Sequence, residues 1–373
     1  ARWSSWPASP GCPAAPAAAE SEPDEGGAAP LLAGAGMPHA VVAEAFVSAS
    51  APQDNLDSPA SWTTAQGQRW VIVTAKKSGQ LVVFDGDTGA RLRTVAGKGS
   101  GPGQLKRPNG IAVVELPGPA PQQALALVVE RDNHRVQLFS LPDFTPLLAF
   151  GAGDLSKPYG LWARAQDGGI EAIVSDNYMD GAEQKTVPPL ARLDHRFRRY
   201  RLEQVDGAWQ ARLVQTFGDT GEAGAIHIAE SLWADPANDR LLLAEEDVPA
   251  GTRLREYRLS DGRYAGRDLG AGLYRAQAEG IALLACADGG GYWIGTDQFK
   301  DRSLFHVFDR RTLAHLGSFA GKVTANTDGV WLDPKGDARF PQGVLYALHD
   351  DQALAAFDWR DIAAALKLKG CGQ

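Results

Sequence analysis

A short opening recurs six times along this chain and constrains its fold more than any other feature. The segments are Ser58-Pro59-Ala60-Ser61-Trp62, Pro108-Asn109-Gly110-Ile111-Ala112, Pro158-Tyr159-Gly160-Leu161-Trp162, Ala229-Glu230-Ser231-Leu232-Trp233, Ala278-Glu279-Gly280-Ile281-Ala282 and Thr327-Asp328-Gly329-Val330-Trp331. Their second residues fall at 59, 109, 159, 230, 279 and 328, at intervals of 50, 50, 71, 49 and 49. A period of about 40–50 residues belongs to propeller blades or solenoid arrays. After each opening the pattern continues with short apolar runs between turn residues, among them Trp70–Thr74, Ala124–Val129, Arg240–Ala244 and Val344–Leu348. A third run ends in an aromatic, as at Phe84, Phe139, Tyr200, Tyr257, Phe308 and Phe357. A fourth often follows. Four short strands per repeat, with no long amphipathic helix between them, describe a propeller blade.

The expected fold is therefore an all-β, six-bladed β-propeller over residues 38–373 with a short C-terminal helix at Asp361–Leu368. Residues 1–37, rich in Ala, Pro, Gly and Glu, are expected as a flexible, disordered tail. The extra run Ala40–Ser48 is expected to complete the last blade and so close the ring. The longest interval predicts an enlarged loop around Tyr178–Gln210.

Composition narrows the function classes. A net charge of −8 argues against general nucleic-acid binding, which needs a basic footprint. No run of about 18 apolar residues is present, so no membrane span is expected. Three cysteines make no disulfide framework. Cys286 lies in an apolar run and is expected as a buried thiol, while Cys12 and Cys371 form a candidate pair, because propeller termini meet. The chain begins at Ala1 with a tail of the kind that follows a removed export signal, so a secreted or periplasmic monomer is expected.

Polar residues recur at fixed blade positions. The openings carry Pro59 (with Asp57 two residues earlier), Asn109, Tyr159, Glu230, Glu279 and Asp328. The ends of the second strands carry Lys76-Lys77, Arg131-Asp132, Asp176-Asn177, Glu245-Glu246-Asp247, Asp297 and His349-Asp350-Asp351. Acidic residues at strand ends are also ordinary turn chemistry. Glu is a poor turn residue, however, and its recurrence points to a ligand role. Many carboxylates with few histidines form the donor set of a hard cation, calcium more than magnesium. Lys76, Lys77 and Arg131 occupy the same position on adjacent blades and, with Tyr159, suggest an anion cradle beside such a cluster. No Gly-x-Ser-x-Gly elbow or Walker-type loop is present.

In combination, Thr74-Ala75-Lys76-Lys77-Ser78-Gly79, Leu243-Ala244-Glu245-Glu246-Asp247, Ala278-Glu279-Gly280, Asn326-Thr327-Asp328-Gly329 and Asp54-Asn55-Leu56-Asp57 resemble the beta-propeller phytases. The matches run in order from about residue 54 to 365. The resemblance implies a phytase, a hydrolase that removes phosphate from myo-inositol hexakisphosphate with several calcium ions and a metal-activated water. It implies Glu230, Glu245, Glu279 and Asp328 as calcium ligands at the catalytic centre. It implies Lys76, Arg131 and Tyr159 as holders of substrate phosphate, and Asp57 and Asp350 as ligands of structural calcium. Lys77 and Glu246 are the alternatives to their neighbours in those roles. The chain departs from the family at Asp176-Asn177-Tyr178-Met179, where a phosphate-binding lysine is usual, at Ser58, and at Asp351. Arg192, Arg196, Arg198 and Arg199 of the enlarged loop are either replacement positive charge or a solvated basic strand. A non-catalytic, calcium-stabilised propeller that binds a phosphorylated ligand or protein partner is the alternative reading. A lactonase-type propeller would not need Lys76 and Arg131.

Overall fold

The computed structural model of the protein describes residues 30–371. Six four-stranded antiparallel sheets form the blades of a propeller, one of them extended by a fifth strand. Blade 1, for example, runs Leu56–Thr63, Arg69–Ala75, Gln80–Asp85 and Arg91–Val95 from the inside outward. The six first strands touch one another in chain order and the last touches the first, so they ring a central channel. Each sheet buries apolar side chains on both faces, and the clusters lie between neighbouring blades. One such cluster joins Ile72 and Val83 of blade 1 to Ile111 and Phe139 of blade 2, with Leu105 of the connection between them.

The ring is closed twice from the N-terminal side. Phe46–Val47 pairs antiparallel with Ala353–Asp358 and completes blade 6, as expected. Ala40–Val41 adds a parallel strand to the outer edge of blade 5, so one extended segment bridges both blades. Part of the segment expected as a flexible tail is ordered. Leu32–Gly34 forms a 3-10 turn whose Leu32 is buried against Phe299, Leu304 and Ala320, and the Asp301 carboxylate accepts from the Leu32 and Ala33 N–H groups. The remainder of that expectation, residues 1–29, lies outside the described residues.

The C-terminal helix spans Trp359–Leu366, two residues earlier than the sequence suggested, because the Asp358 side chain caps it through the Arg360 N–H. Trp359 and Ile362 bury its inner face against blades 5 and 6. The cysteine pairing differs from expectation. Cys286 is not a free thiol: it is bonded to Cys371, which it meets because the C-terminal segment crosses blade 5. Cys12 lies outside the described residues.

Candidate functional site

One backbone irregularity, repeated around the ring, builds the site. In blade 1, Leu56 pairs with Ala75 but Pro59 pairs with Val73, so Asp57 and Ser58 together oppose Thr74. The same shift sets Tyr159 and Gly160 against Ser175 in blade 3, and Glu279 and Gly280 against Thr296 in blade 5. Blade 2 repeats it at Asn109 and Gly110. Such a bulge leaves two residues opposite one and re-aims a side chain. It presents Asp57, Tyr159 and Glu279 at one mouth of the channel, where Glu230 and Asp328, two residues before the first strands of blades 4 and 6, join them. The blade-1 member of this ring is Asp57, not Pro59; the Ser-Pro-Ala-Ser-Trp run suggests a register two residues off because Trp62 stands further along its strand.

In blades 1 and 3 the next blade locks the bulge. The Ser58 N–H donates to Thr74 Oγ1, which donates to the Asn109 carbonyl (2.5 Å). The Gly160 N–H donates to Ser175 Oγ, which donates to the Glu230 carbonyl (2.8 Å each). Two of the glycines are required by this approach: a Cβ on Gly160 would lie 2.0 Å from the Glu230 carbonyl oxygen, and one on Gly280 2.6 Å from that of Asp328.

The second-strand ends divide into two positions with different work. The last strand residue is structural. Asp176 accepts from the Ser156 and Lys157 N–H groups, and Asp297 from Arg275, Ala276 and Gln277. Glu245 belongs to this set: its oxygens accept from the N–H groups of His227, Ile228 and Asp247, and it meets His227 Nδ1 at 2.9 Å. That hydrogen bond holds the His227 pKa above its ordinary value. The following residue turns inward as Lys76, Asn177, Glu246 and Gln298 in blades 1, 3, 4 and 5, and in blade 6 the inward residue is one position later, Asp351 beside Asp328.

The two rings meet at the mouth. Lys76 Nζ lies 3.1 Å from Asp57 Oδ1, 3.9 Å from Asp328 Oδ2 and 3.3 Å from the Tyr159 hydroxyl. Tyr159 and Ser58 hydroxyls donate to the two Asp57 oxygens, at 3.0 and 2.7 Å. Glu230, Glu246 and Glu279 are all buried and each offers a carboxylate oxygen within 4.8 Å of the others. Asn177 orients one of them, donating to Glu230 Oε1 (3.2 Å) while its own oxygen accepts from the Ala229 N–H (3.1 Å). Gln298 Nε2 donates to Asp328 Oδ1 at 2.5 Å. Burial, then the charge of neighbouring Asp351, push the Asp328 pKa well up against the opposing pull of Lys76. Burial raises Asp351 as well, and the two carboxyls share a hydrogen bond.

Several sequence expectations are thereby resolved or corrected. Lys76 faces the channel, whereas Lys77 is exposed. Of the adjacent glutamates, Glu246 joins Glu230 and Glu279, and Glu245 is corrected from metal ligand to loop cap, because its oxygens are occupied by backbone N–H groups. Asp57 stands inside the channel site beside Lys76 rather than apart from it. Asp350 is exposed and meets Asn326 and Gln352 side chains. Arg131 is half-buried and donates to Asp132 at 2.8 Å. The arginines expected in the enlarged loop are neither solvated as a group nor spent on the mouth, and Arg198 and Arg199 lie on the strand Phe197–Val205 rather than in a loop. Arg196 is fully buried and donates to the carbonyls of Asp176, Tyr178, Ile226 and His227. Arg198 donates to the His195 and Asp154 carbonyls, Arg199 pairs with Glu171, and Arg192 with Asp180. Sequence reasoning missed Gln298 and the role of Asn177. Their signal was the fixed offset from the strand end, masked by their neutral side chains.

No protein-family model and no curated protein matches this sequence. Among solved structures, the fold is similar to an alpha-L-arabinanase of Penicillium chrysogenum complexed with arabinobiose, at 13% identity and a TM-score of 0.54, covering 87% of this chain and 99% of that one. A hydrazine synthase of Kuenenia stuttgartiensis matches at 11% identity and a TM-score of 0.42, covering 84% of this chain and 76% of that one. At these identities the likeness is one of fold.

Proposed function

We propose that this protein is a calcium-dependent phosphomonoesterase that hydrolyses phytate to lower inositol phosphates and inorganic phosphate. The observation that carries the reading is the convergence, at one channel mouth, of a triad of buried glutamates with Lys76 and Tyr159. Carboxylates this close raise each other's cost of ionisation unless a cation neutralises them. An all-oxygen donor set suits a hard cation, and Glu230, Glu246 and Glu279 are the residues that would hold it. Bound there, calcium would supply neutralisation of phosphate charge and acidification of a water.

The chain's own groups do the rest. Lys76 supplies a point charge for one phosphate oxygen, and the Tyr159 hydroxyl fixes that ammonium against Asp57. Arg131 offers two parallel donors to a second phosphate oxygen pair. As water attacks phosphorus in line and the bond to the inositol oxygen breaks, these cations stabilise charge on the equatorial oxygens. Asn177 stands where a phosphate-binding lysine is usual in the phytases and instead orients Glu230, so fewer cations grip the substrate here. The Cys286–Cys371 disulfide supports a secreted or periplasmic location, where such bonds persist.

The test is phosphate release from phytate with calcium and in excess chelator. Activity restored by calcium and reduced at least 100-fold in Glu279→Gln is expected. Full activity in chelator overturns the reading. Saturable inositol phosphate binding without release identifies the non-catalytic propeller instead.

A further inference from the structure

The channel has a second mouth, on the face opposite the carboxylates, and it holds a cavity of about 690 Å³. That volume lies within the roughly 300–1,000 Å³ of small-molecule sites. Four indoles line it: Trp62, Trp162, Trp233 and Trp331, from the first strands of blades 1, 3, 4 and 6. Blades 4 and 6 are not neighbours, yet the rings of Trp233 and Trp331 lie 5.3 Å apart at 88°, edge to face. The pair therefore crosses the channel. Both residues line both mouths, so they form the floor that separates this cavity from the carboxylate site.

The rim decides the ligand class. Its acids are Glu115, Asp235 and Asp333, and its bases Arg164, Arg310 and Lys335, so the charges balance. Asp235 and Arg310 neutralise each other through two hydrogen bonds of 2.8 and 2.9 Å. Arg164 is held by Glu171 at 2.7 Å with its guanidinium 5.7 Å from the Trp162 ring. Glu115 is exposed and is held in place by the Trp62 indole N–H at 2.9 Å. A phosphorylated ligand finds no excess of cations here. A quaternary ammonium, the usual guest of an aromatic cage, would meet as many bases as acids. What fits is a neutral ring with an apolar face and a polar edge: its C–H groups lie on indole faces and its hydroxyls meet the fixed carboxylate and guanidinium at the rim. Each of the other three indoles, Trp162, Trp233 and Trp331, carries an N–H donor of its own.

We propose that this second mouth is a carbohydrate site that takes the end of a neutral pyranose oligosaccharide. The proposal is independent of the chemistry at the carboxylate end. The test is calorimetric titration of the full chain with maltotriose, cellotriose and laminaritriose, with tetramethylammonium and phytate as comparison ligands, each with and without calcium. Saturable binding of at least one trisaccharide is expected, unchanged by chelator and in Glu279→Gln, and weakened at least tenfold in Trp233→Ala. Should that variant unfold, Trp233→Phe and Trp331→Phe keep the packing, and saturation-transfer NMR reads the loss of indole contact to sugar protons. Absence of saturable binding by all three sugars at tens of millimolar overturns the proposal. So does binding of tetramethylammonium alone, or a sugar affinity lost in Glu279→Gln, which would place the sugar at the other mouth.

Discussion

Replacing Lys76 by Met tests the electrostatic core of the site without reference to turnover. The ammonium is 7% exposed and faces Asp57 at 3.1 Å, whose side chain is 1% exposed. Removing one partner of a buried pair leaves the other charge uncompensated, at about 3–5 kcal/mol. Asp57 keeps hydrogen bonds from Tyr159 and Ser58, so the lower figure of about 3 kcal/mol applies. At about 2.1 cal/mol/K per residue, the unfolding entropy of a 373-residue chain is about 0.8 kcal/mol/K, and Tm falls by about 4 °C. Calorimetry in chelator at pH 7 reads this directly. Asp57→Asn should be destabilising alone, and Lys76→Met with Asp57→Asn should recover at least about 1 kcal/mol relative to the sum, the mark of contact coupling. Additive losses, or a Lys76→Met protein melting within about 1 °C of the parent, would show that the pair carries no such energy and refute the reasoning.

Three further outcomes follow from the same geometry. The adjacent glutamates should separate: Glu245→Ala strands backbone N–H groups of the His227 loop, each at about 1–3 kcal/mol, and lowers Tm, whereas Glu246→Gln leaves Tm within about 2 °C and abolishes calcium-dependent phosphate release. The raised pKa of Asp328 means the folded state favours its protonated form, so its contribution to stability is full below the unfolded pKa of about 3.9 and is lost as pH rises through the folded pKa; in chelator, Tm of the parent should fall more steeply above pH 4 than that of Asp328→Asn, and equal slopes would count against the carboxyl pair. Cys286→Ser with Cys371→Ser opens a loop of separation 85, which the chain-entropy estimate puts at about 4.5 kcal/mol and thus about 6 °C in Tm, with phosphate release retained because the disulfide lies at the far end of its strand from the site.

What the sequence disclosed followed from what repeats in it. The blade count and the ring closure by Phe46–Val47 were legible because every blade solves the same problem, burying both faces of a short sheet against its neighbours. Tyr159, Glu230, Glu279 and Asp328 were legible as a convergent set because each stands where its blade enters the first strand, and the ring brings those entries to one mouth. Blade 1 was misaligned because a bulge leaves no mark in composition; only the pairing of Leu56 and Pro59 shows that Asp57 and Ser58 oppose one residue. The choice between Glu245 and Glu246 was hidden for a similar reason. Side chains alternate across a strand, so adjacent residues at its end face different surroundings. One meets the loop of its own blade and is consumed by N–H groups. The other meets the channel, where the companions that give it chemistry come from blades 4 and 5 and no local pattern announces them.

The same argument explains why the two ends of one channel differ in kind. Every first strand, with the residues that lead into it, runs from one face of the ring to the other, so a single blade contributes to both mouths. Blade 4 places Glu230 at one and Trp233 at the other; blade 6 places Asp328 and Trp331. Three residues of separation are enough to change the surroundings from carboxylate and ammonium to indole, because the crossing of Trp233 with Trp331 closes the channel between them. That floor also excludes water from beneath the carboxylate site, which strengthens the interactions of Lys76 with Asp57 and Asp328. Trp233→Ala therefore has a consequence at both mouths: sugar affinity is lost at one, and at the other the Lys76→Met penalty shrinks as water enters from below. A double-mutant cycle between Trp233→Ala and Lys76→Met, read by calorimetry, should show that shrinkage, and strict additivity would mean the floor does not insulate the site.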